Sequence, residues 1–205
     1  MMAESGIIPE IFRKSPPVSA TYDFVDVMSG TGYVSLYAGK CVSSNVLSNY
    51  AYYSNTISTS VALAVADAKV HDVDFDVTIN KPLTISGNAI VNVAYGVTQS
   101  GGTSSGRIIC RIRKYSGGVE SELALSSAST TISTGAGDVY GSAALDLAVT
   151  ASFKKGDLLR LTVEGWGSNN NNTGTLTFGH DPKNRTYGTA AYSTLIFQCP
   201  FKVDL

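Results

Sequence analysis

The sequence predicts an all-β fold: a jelly-roll β-sandwich of about eight to ten antiparallel strands, entered by an extended N-terminal arm. Three observations predict it. Apolar and polar residues alternate with period two in run after run along the chain. Short stretches rich in Gly, Ser, Asn and Asp, such as SGG, SGGVES, TGAGD, KKGD and NNNNTG, separate the runs and carry turn chemistry. No stretch of ten or more residues shows a persuasive helical period.

Residues 1–20 hold Pro9, Pro16 and Pro17, a density that excludes a helix. Ile7, Ile8, Ile11 and Phe12 stand among them and want burial, which an extended arm lying on a neighbouring surface provides. Residues 21–205 form the jelly-roll domain, because no linker divides them. YDFVDVM (Tyr22 to Met28) and YVSLYAGKC (Tyr33 to Cys41) flank SGTG, a hairpin turn. Residues 42–58 are polar and tyrosine-rich without a clean period, and read as a long loop or edge. TISTSVALAVADAK is the nearest approach to a helix, but its β-branched content suits a strand equally.

The clearest pattern follows. Val73, Phe75, Val77 and Ile79 alternate with Asp72, Asp74, Asp76 and Thr78, a half-buried strand. Ala89 to Val97 repeats the device. RIICRIRKY sets Ile108, Cys110 and Ile112 on one face and Arg107, Arg111 and Arg113 on the other. Leu145 to Phe153, Leu159 to Val163 and Leu195 to Leu205 alternate again.

The chain has 205 residues, enough to bury a sizeable core, and 43% of them are hydrophobic. Only 15% are charged, which leaves little like-charge repulsion to oppose contact with other protein surfaces. The formal net charge of −1 argues against nucleic acid as a partner, since phosphate binding needs a basic footprint. No apolar run approaches the roughly 20 residues that cross a bilayer, and the N-terminus lacks the pattern of a secretory signal. The expectation is synthesis in a cytosol, with no glycan on the sequons at Asn171 and Asn184. Cys41, Cys110 and Cys199 form no C-x-x-C motif and sit among apolar or aromatic neighbours, so buried free thiols are expected.

FGHDPKNR, Phe178 to Arg185, raises the sharpest chemical question. An imidazole beside a carboxylate and two cations could shuttle protons or bind metal or phosphate. Catalysis by His180 needs a nucleophile and an orienting acid, and no nucleophile elbow is expected. A metal site needs more ligands than His71 and His180 supply. Pro182 favours a turn, with Asp181 capping it. The expectations are therefore no enzymatic activity, no catalytic residue, no metal and no cofactor. Asp72, Asp74 and Asp76 lie on one strand face nearly 7 Å apart and do not converge on an ion. They read as a solvated face. Arg107, Arg111 and Arg113 make a polar sheet face, or a cross-subunit contact with that acidic stripe. Trp166 falls in phase with Leu158, Arg160, Thr162 and Glu164, away from the core, and suits an interface pocket better than a sugar.

Two resemblances follow from longer stretches. GNAIVNVAYGV, RIICRIRKYSGG and KKGDLLRL, then the closing apolar strand, resemble the C1q and tumour-necrosis-factor type of jelly roll over residues 83–205. That resemblance implies ten strands in two sheets and a trimer. YDFVDVMSGTGYVSLYAG, FKKGDLLRLTVEGWG, TLTFGHDPKNR and FQCPFKVDL together resemble small virion proteins of marine tailed phages. That resemblance implies a structural component of a virion made in the host cytoplasm, and carries no catalytic residue.

The expectation for function is thus a non-enzymatic phage virion structural protein, foremost a capsid decoration or cement protein forming homotrimers. Its partners would be the major capsid protein or tail proteins, with no nucleic acid and no membrane. Interface candidates are Ile7, Ile8, Ile11, Phe12, Arg107, Arg111, Arg113 and Trp166. The alternative is a tail or fibre module binding a host receptor or glycan through Tyr50, Tyr52, Tyr53 and Trp166.

Overall fold

The computed structural model describes residues 20–21, 31–170, 173–185 and 194–202. The arm with Ile7, Ile8, Ile11 and Phe12, the first expected strand from Tyr22 with Ser29 and Gly30 of its SGTG turn, and the last residues Val203 and Leu205 lie outside the described residues; Thr31 and Gly32, expected in that turn, open β2.

One layer is built around β6 (Leu83–Gln99). β10 (Gly137–Phe153) pairs with it over its whole length, from Gly137 opposite Gln99 to Phe153 opposite Leu83. The other edge of β6 is shared by β12 (Thr175–Gly179) and β13 (Leu195–Lys202). β4 (Ser58–Ala62) continues from β12. β2 (Thr31–Cys41) continues from β13, and β1 (Ala20–Thr21) adds two residues to β2. In the opposite layer β11 (Leu158–Asn169) lies between β5 (Ala68–Thr78) and β7 (Ser104–Ser116). β8 (Val119–Leu125) and β9 (Ile132–Thr134) share the far edge of β7. β3 (Ser44–Ser48) joins the layers: it is antiparallel to β2 and touches β5 in parallel through one pair, Val46 with Asp76.

Period-two alternation explains what lies between the layers. Val91, Val93 and Val97 of β6, Leu145 and Leu147 of β10, and Phe197 of β13 face Phe75, Ile108, Ile112, Leu159, Leu161 and Val163 in one core cluster. A one-residue slip in any of these strands would turn its apolar set to water. The sandwich class is therefore as the sequence predicts.

Thirteen strands among the described residues exceed the eight to ten expected. The surplus comes from short strands in stretches without a readable period. β3 and β4 have five residues each and occupy the segment read as a loop and the one read as a helix candidate. Only Leu47 in β3 is buried, so neither strand has an apolar face for the sequence to display. A second correction concerns the thiols: Cys110 and Cys199 are buried, but Cys41 is exposed. Cys41 ends β2 at a tight turn whose next residue, Val42, has φ of 55°, so its neighbours in sequence are not its neighbours in space.

A glycine pair in the β5–β11–β7 layer leaves room for side chains of the other layer. Gly106 of β7 stands opposite Gly167 of β11. A methyl group at Gly106 would lie 2.8 Å from both Leu176 Cδ1 and Val97 Cγ2. One at Gly167 would collide with the Ser105 carbonyl and with Leu63. Overpacking of this kind costs about 1–3 kcal/mol, or roughly 3–10 °C in a domain of this size. Gly167→Ala should lower the thermal midpoint by that amount in calorimetry, while Gly135→Ala, which meets nothing within 4 Å, should leave it within about a degree.

Candidate functional site

β12 ends by delivering His180 and Asp181 beneath the 50–60 segment. The His180 amide donates to the Ile57 carbonyl at 2.9 Å. Asp181 then governs the turn. Its carboxylate accepts from the amides of Lys183 (3.3 Å) and Arg185 (2.8 Å) and from the Arg185 guanidinium (2.8 and 3.1 Å). Arg185 Nη2 also donates to the Ser54 carbonyl at 2.6 Å, tying the turn to the preceding loop. FGHDPKNR is thus a capped turn, as Pro182 suggests. What the sequence does not disclose is its depth: His180 and Asp181 are 1% and 0% exposed.

The imidazole of His180 lies against Phe75 and Phe178, at ring-centroid distances of 5.5 and 6.0 Å. Burial holds its pKa below the usual value, so the ring is neutral at pH 7. Nε2 lies 2.9 Å from Thr59 Oγ1, while Nδ1 is buried without a partner among the described residues. For Asp181, burial acts to raise the pKa, but the Arg185 guanidinium and the two amides outweigh it and the carboxyl is held below its usual value. The group is an ionised structural staple.

The tyrosines sit above this turn. Tyr53 is 74% exposed and carries the Lys183 ammonium and Arg185 guanidinium, each 5.6 Å from its ring. Tyr50 is exposed and meets Tyr52 edge-on at 6.2 Å. Tyr52 is half-buried over Gly39 beside Pro182, and burial pushes its phenol well above the usual range. The structure therefore joins the tyrosine cluster to FGHDPKNR, a proximity that no spacing in the sequence reveals.

The acidic and basic stripes share the outer face of the β5–β11–β7 layer. β11 lies between them and supplies both signs. Arg160 binds Asp76 through Nε and Nη2, both at 2.8 Å, and reaches Asp74 at 3.0 Å and Glu120 at 2.8 Å. Glu164 accepts from Arg111 Nε at 2.8 Å, from Lys69 at 3.4 Å and from Trp166 Nε1 at 3.0 Å. Arg111 also meets Glu122, Arg113 meets Glu120, and Arg107 clasps Asp67 with two contacts of 2.9 Å. Arg107 lies 5.7 Å from the Trp166 ring. Asp72, Asp74 and Asp76 stay partly exposed, as a solvated face requires, and are at the same time paired with Lys69 and Arg160. Arg160 and Glu164 connect the stripes, a role the sequence does not display because a strand pattern does not tell which strands are neighbours.

At the KKGD turn Asp157 accepts from the Lys154 amide (2.8 Å), Ser116 Oγ (2.6 Å) and Lys114 (3.0 Å), and these contacts hold its pKa at about 2. A further motif corrects the expectation of no nucleophile elbow: Gly102-Thr103-Ser104-Ser105-Gly106 spells Gly-x-Ser-x-Gly. Its glycines and serines read first as a turn. The elbow of a hydrolase sits between a strand and a helix with its hydroxyl exposed. Here Ser104 opens β7, is 1% exposed and has its Oγ buried without a partner among the described residues. Among the described residues no group of three or more His, Cys, Asp or Glu is placed to hold a metal ion. No helix of the described residues is long and apolar enough to cross a membrane.

No protein-family model matches the chain, and no curated protein does. Among solved structures, a CocE/NonD family hydrolase from Staphylococcus aureus aligns with 92% of this chain and 38% of its own, at 14% identity and a TM-score of 0.52. An aminopeptidase from the marine sediment archaeon Thaumarchaeota archaeon aligns with 84% of this chain and 37% of its own, at 10% identity and a TM-score of 0.56. The chain thus spans under two fifths of these hydrolases. The likeness establishes the β-sandwich fold alone. It does overturn the expectation that the chain is not an enzyme, because the fold occurs within enzymes and so gives that exclusion no support. A tumour-necrosis-factor protein of S. frugiperda aligns with 84% of this chain at 13% identity and a TM-score of 0.34, too low to carry an argument.

Glu164 and Asp157 are among the carboxylates held below their usual pKa, and each gives a test. Glu164 is 1% exposed; burial alone would raise its pKa, but Arg111, Trp166 and Lys69 hold it below the usual value. Glu164→Gln should destabilise the fold by about 3 kcal/mol at pH 7, read by denaturant unfolding, because Arg111 loses its most buried partner. Asp157 is depressed from 3.8 to about 2. Its contribution is complete above pH 3.8 and is lost as pH falls through about 2. Asp157→Asn should therefore be less stable than the unaltered chain at pH 7, with the gap closing between about pH 4 and pH 2.

Proposed function

We propose that the chain is a structural protein of a phage virion, a jelly roll that attaches to the particle as a decoration or cement subunit and forms trimers. The observation that carries this reading is the outer face of the β5–β11–β7 layer. Its charges neutralise one another within the chain, so a partner surface meets little uncompensated charge to desolvate. Exposed Val119, Leu125 and Tyr115 on the neighbouring β7–β8 hairpin add apolar area beside it. The likeness of four separate sequence stretches to marine tailed-phage virion proteins supports the same reading. The N-terminal arm is the anchor. Burying Ile7, Ile8, Ile11 or Phe12 against a neighbour is worth about 1.5–3 kcal/mol each.

A second reading takes its support from the tyrosine cluster. Tyr50 and Tyr53 are exposed, with Lys183 and Arg185 against the Tyr53 ring, a composition that suits a sugar or receptor surface on a tail or fibre. Trp166 contributes less to that reading, since Arg107 and Glu164 already occupy its face and its nitrogen. Glycan-array binding that depends on Tyr53 separates the two readings. A third follows from the hydrolase likeness: the chain as one sandwich unit of an ester- or peptide-cleaving assembly, tested by turnover of ester and aminoacyl substrates.

Deleting residues 1–15 tests the leading reading. The shortened chain should melt cooperatively, within a few degrees of the full chain, and should lose binding to particles that lack the protein. Retention at full occupancy in a sedimentation assay would count against the arm as anchor.

A further inference from the structure

Three strands break off their inward-facing apolar series with a polar residue at one seam between the layers. On β2 the series runs Leu36, Ala38, Lys40; on β3 it runs Leu47, Asn45; on β5 it runs Phe75, Val73, His71. Ala38 stands opposite Leu47 and Lys40 opposite Asn45, and directly opposed residues put their side chains on one face. On β4, Thr59 stands opposite the buried Phe178 of β12 and shares its inward face. The change from apolar to polar therefore falls on several strands together, not on one stray side chain.

Lys40, Asn45, Thr56, Ser58, Thr59 and His71 line a pocket of about 470 Å³ there, within the roughly 300–1,000 Å³ that small-molecule sites occupy. Lys40 is half-buried, and its ammonium forms no ion pair among the described residues. His71 Nε2 is buried and has no hydrogen-bond partner among the described residues. A sheltered cation and a buried polar atom left unpaired both cost free energy, which a complementary ligand removes. A hydroxyl group both donates and accepts, so it satisfies His71 Nε2 whichever tautomer the ring adopts. Asp72 and Asp74 complete the lining from the outward face, where Lys69 and Arg160 offset their charge. Their oxygens remain acceptors, which suits ligand hydroxyls and disfavours a compact dianion such as phosphate.

We propose that this pocket binds an acidic sugar, a uronic acid ring that carries one carboxylate among several hydroxyls. Lys40 and the Asn45 amide opposite it take the carboxylate. Thr56, Ser58, Thr59, His71 and the rim carboxylates take the ring hydroxyls. Neither Tyr50 nor Tyr53 lines the pocket, so the site is separate from the tyrosine cluster. It stands whether or not the virion reading holds, and its test needs no particle.

Methyl β-glucuronide and methyl β-glucoside differ only in the carboxylate and isolate its contribution. Titrated into the full chain and followed by NMR, the glucuronide should shift the ring resonances of His71, one of two histidines, assigned with His71→Gln. It should bind on the order of 10-fold more tightly than the glucoside. Lys40→Met should remove most of that advantage and Asn45→Ala part of it, while Tyr53→Ala should leave it unchanged. Thermal melting checks that Lys40→Met is folded; if it is not, Asn45→Ala carries the same comparison. Absence of any His71 shift, or equal affinity for the two probes, overturns the proposal. So does displacement of the glucuronide by equimolar phosphate or acetate, which would make the pocket a simple anion site. Loss of binding in Tyr53→Ala with Lys40→Met unaffected would move sugar recognition to the tyrosine cluster and overturn it as well.

Discussion

The register of β11 between β5 and β7 is fixed from both of its faces. Inward, Leu159, Leu161 and Val163 enter the core; outward, Arg160 and Glu164 bind partners on both flanking strands. A slip by one residue would put Arg160 and Glu164 into the core and the leucines into water. The apolar face supplies most of the free energy, but it is tolerant, because neighbouring leucines and valines have similar shapes. The ion pairs discriminate more sharply, since Asp76 can be satisfied in the bidentate manner only by a guanidinium placed opposite it. The remaining strands of that layer are hung on β11, and the alignment of β7 in turn positions β8 and β9.

This arrangement also sets the character of the surface. The composition of the chain is poor in charge, and much of that charge on the outer face is committed to intrachain pairs. Such a face is polar in composition yet nearly neutral in effect, which lowers the electrostatic obstacle to docking another protein. The FGHDPKNR turn behaves differently. There Asp181 and Arg185 are used to bury a turn, and above it stands an exposed aromatic, Tyr53, with two cations against its ring. Contact through the paired face and recognition through the tyrosine corner are separate capacities of the same sandwich. The likeness to hydrolases adds that this sandwich also occurs as a portion of larger enzymes.

The layers of the fold were legible because period two is a property of sequence alone. Val73, Phe75, Leu159, Leu161, Phe197 and Cys199 all face the core that their spacing assigns them. Strand neighbours were not legible. Asp76 and Arg160 are 84 positions apart, and only pairing through β11 brings the acidic and basic stripes together. Short strands escaped because β3 and β4 bury almost nothing and so carry no periodic signal. Cys41 misled for the opposite reason: apolar neighbours in sequence suggested burial at a place where the backbone turns outward. At FGHDPKNR the proline revealed the turn, but the burial of His180 comes from the 50–60 segment folding over it, a long-range contact that local composition does not encode. Gly102 to Gly106 shows the converse limit, where a motif spells a catalytic elbow and the structure places its serine inside a strand.

The central physical claim is that charge pairing across β11 specifies how the layer aligns. A double-mutant cycle between Asp76 and Arg160, using Asp76→Asn and Arg160→Met with unfolding free energies from denaturant titration, tests it most directly. The account predicts a coupling energy of about 1–2 kcal/mol, little diminished in high salt because both side chains are largely sheltered. A coupling near zero, or one abolished by salt, would mean that the pair merely decorates a register set by the core, and would contradict the claim.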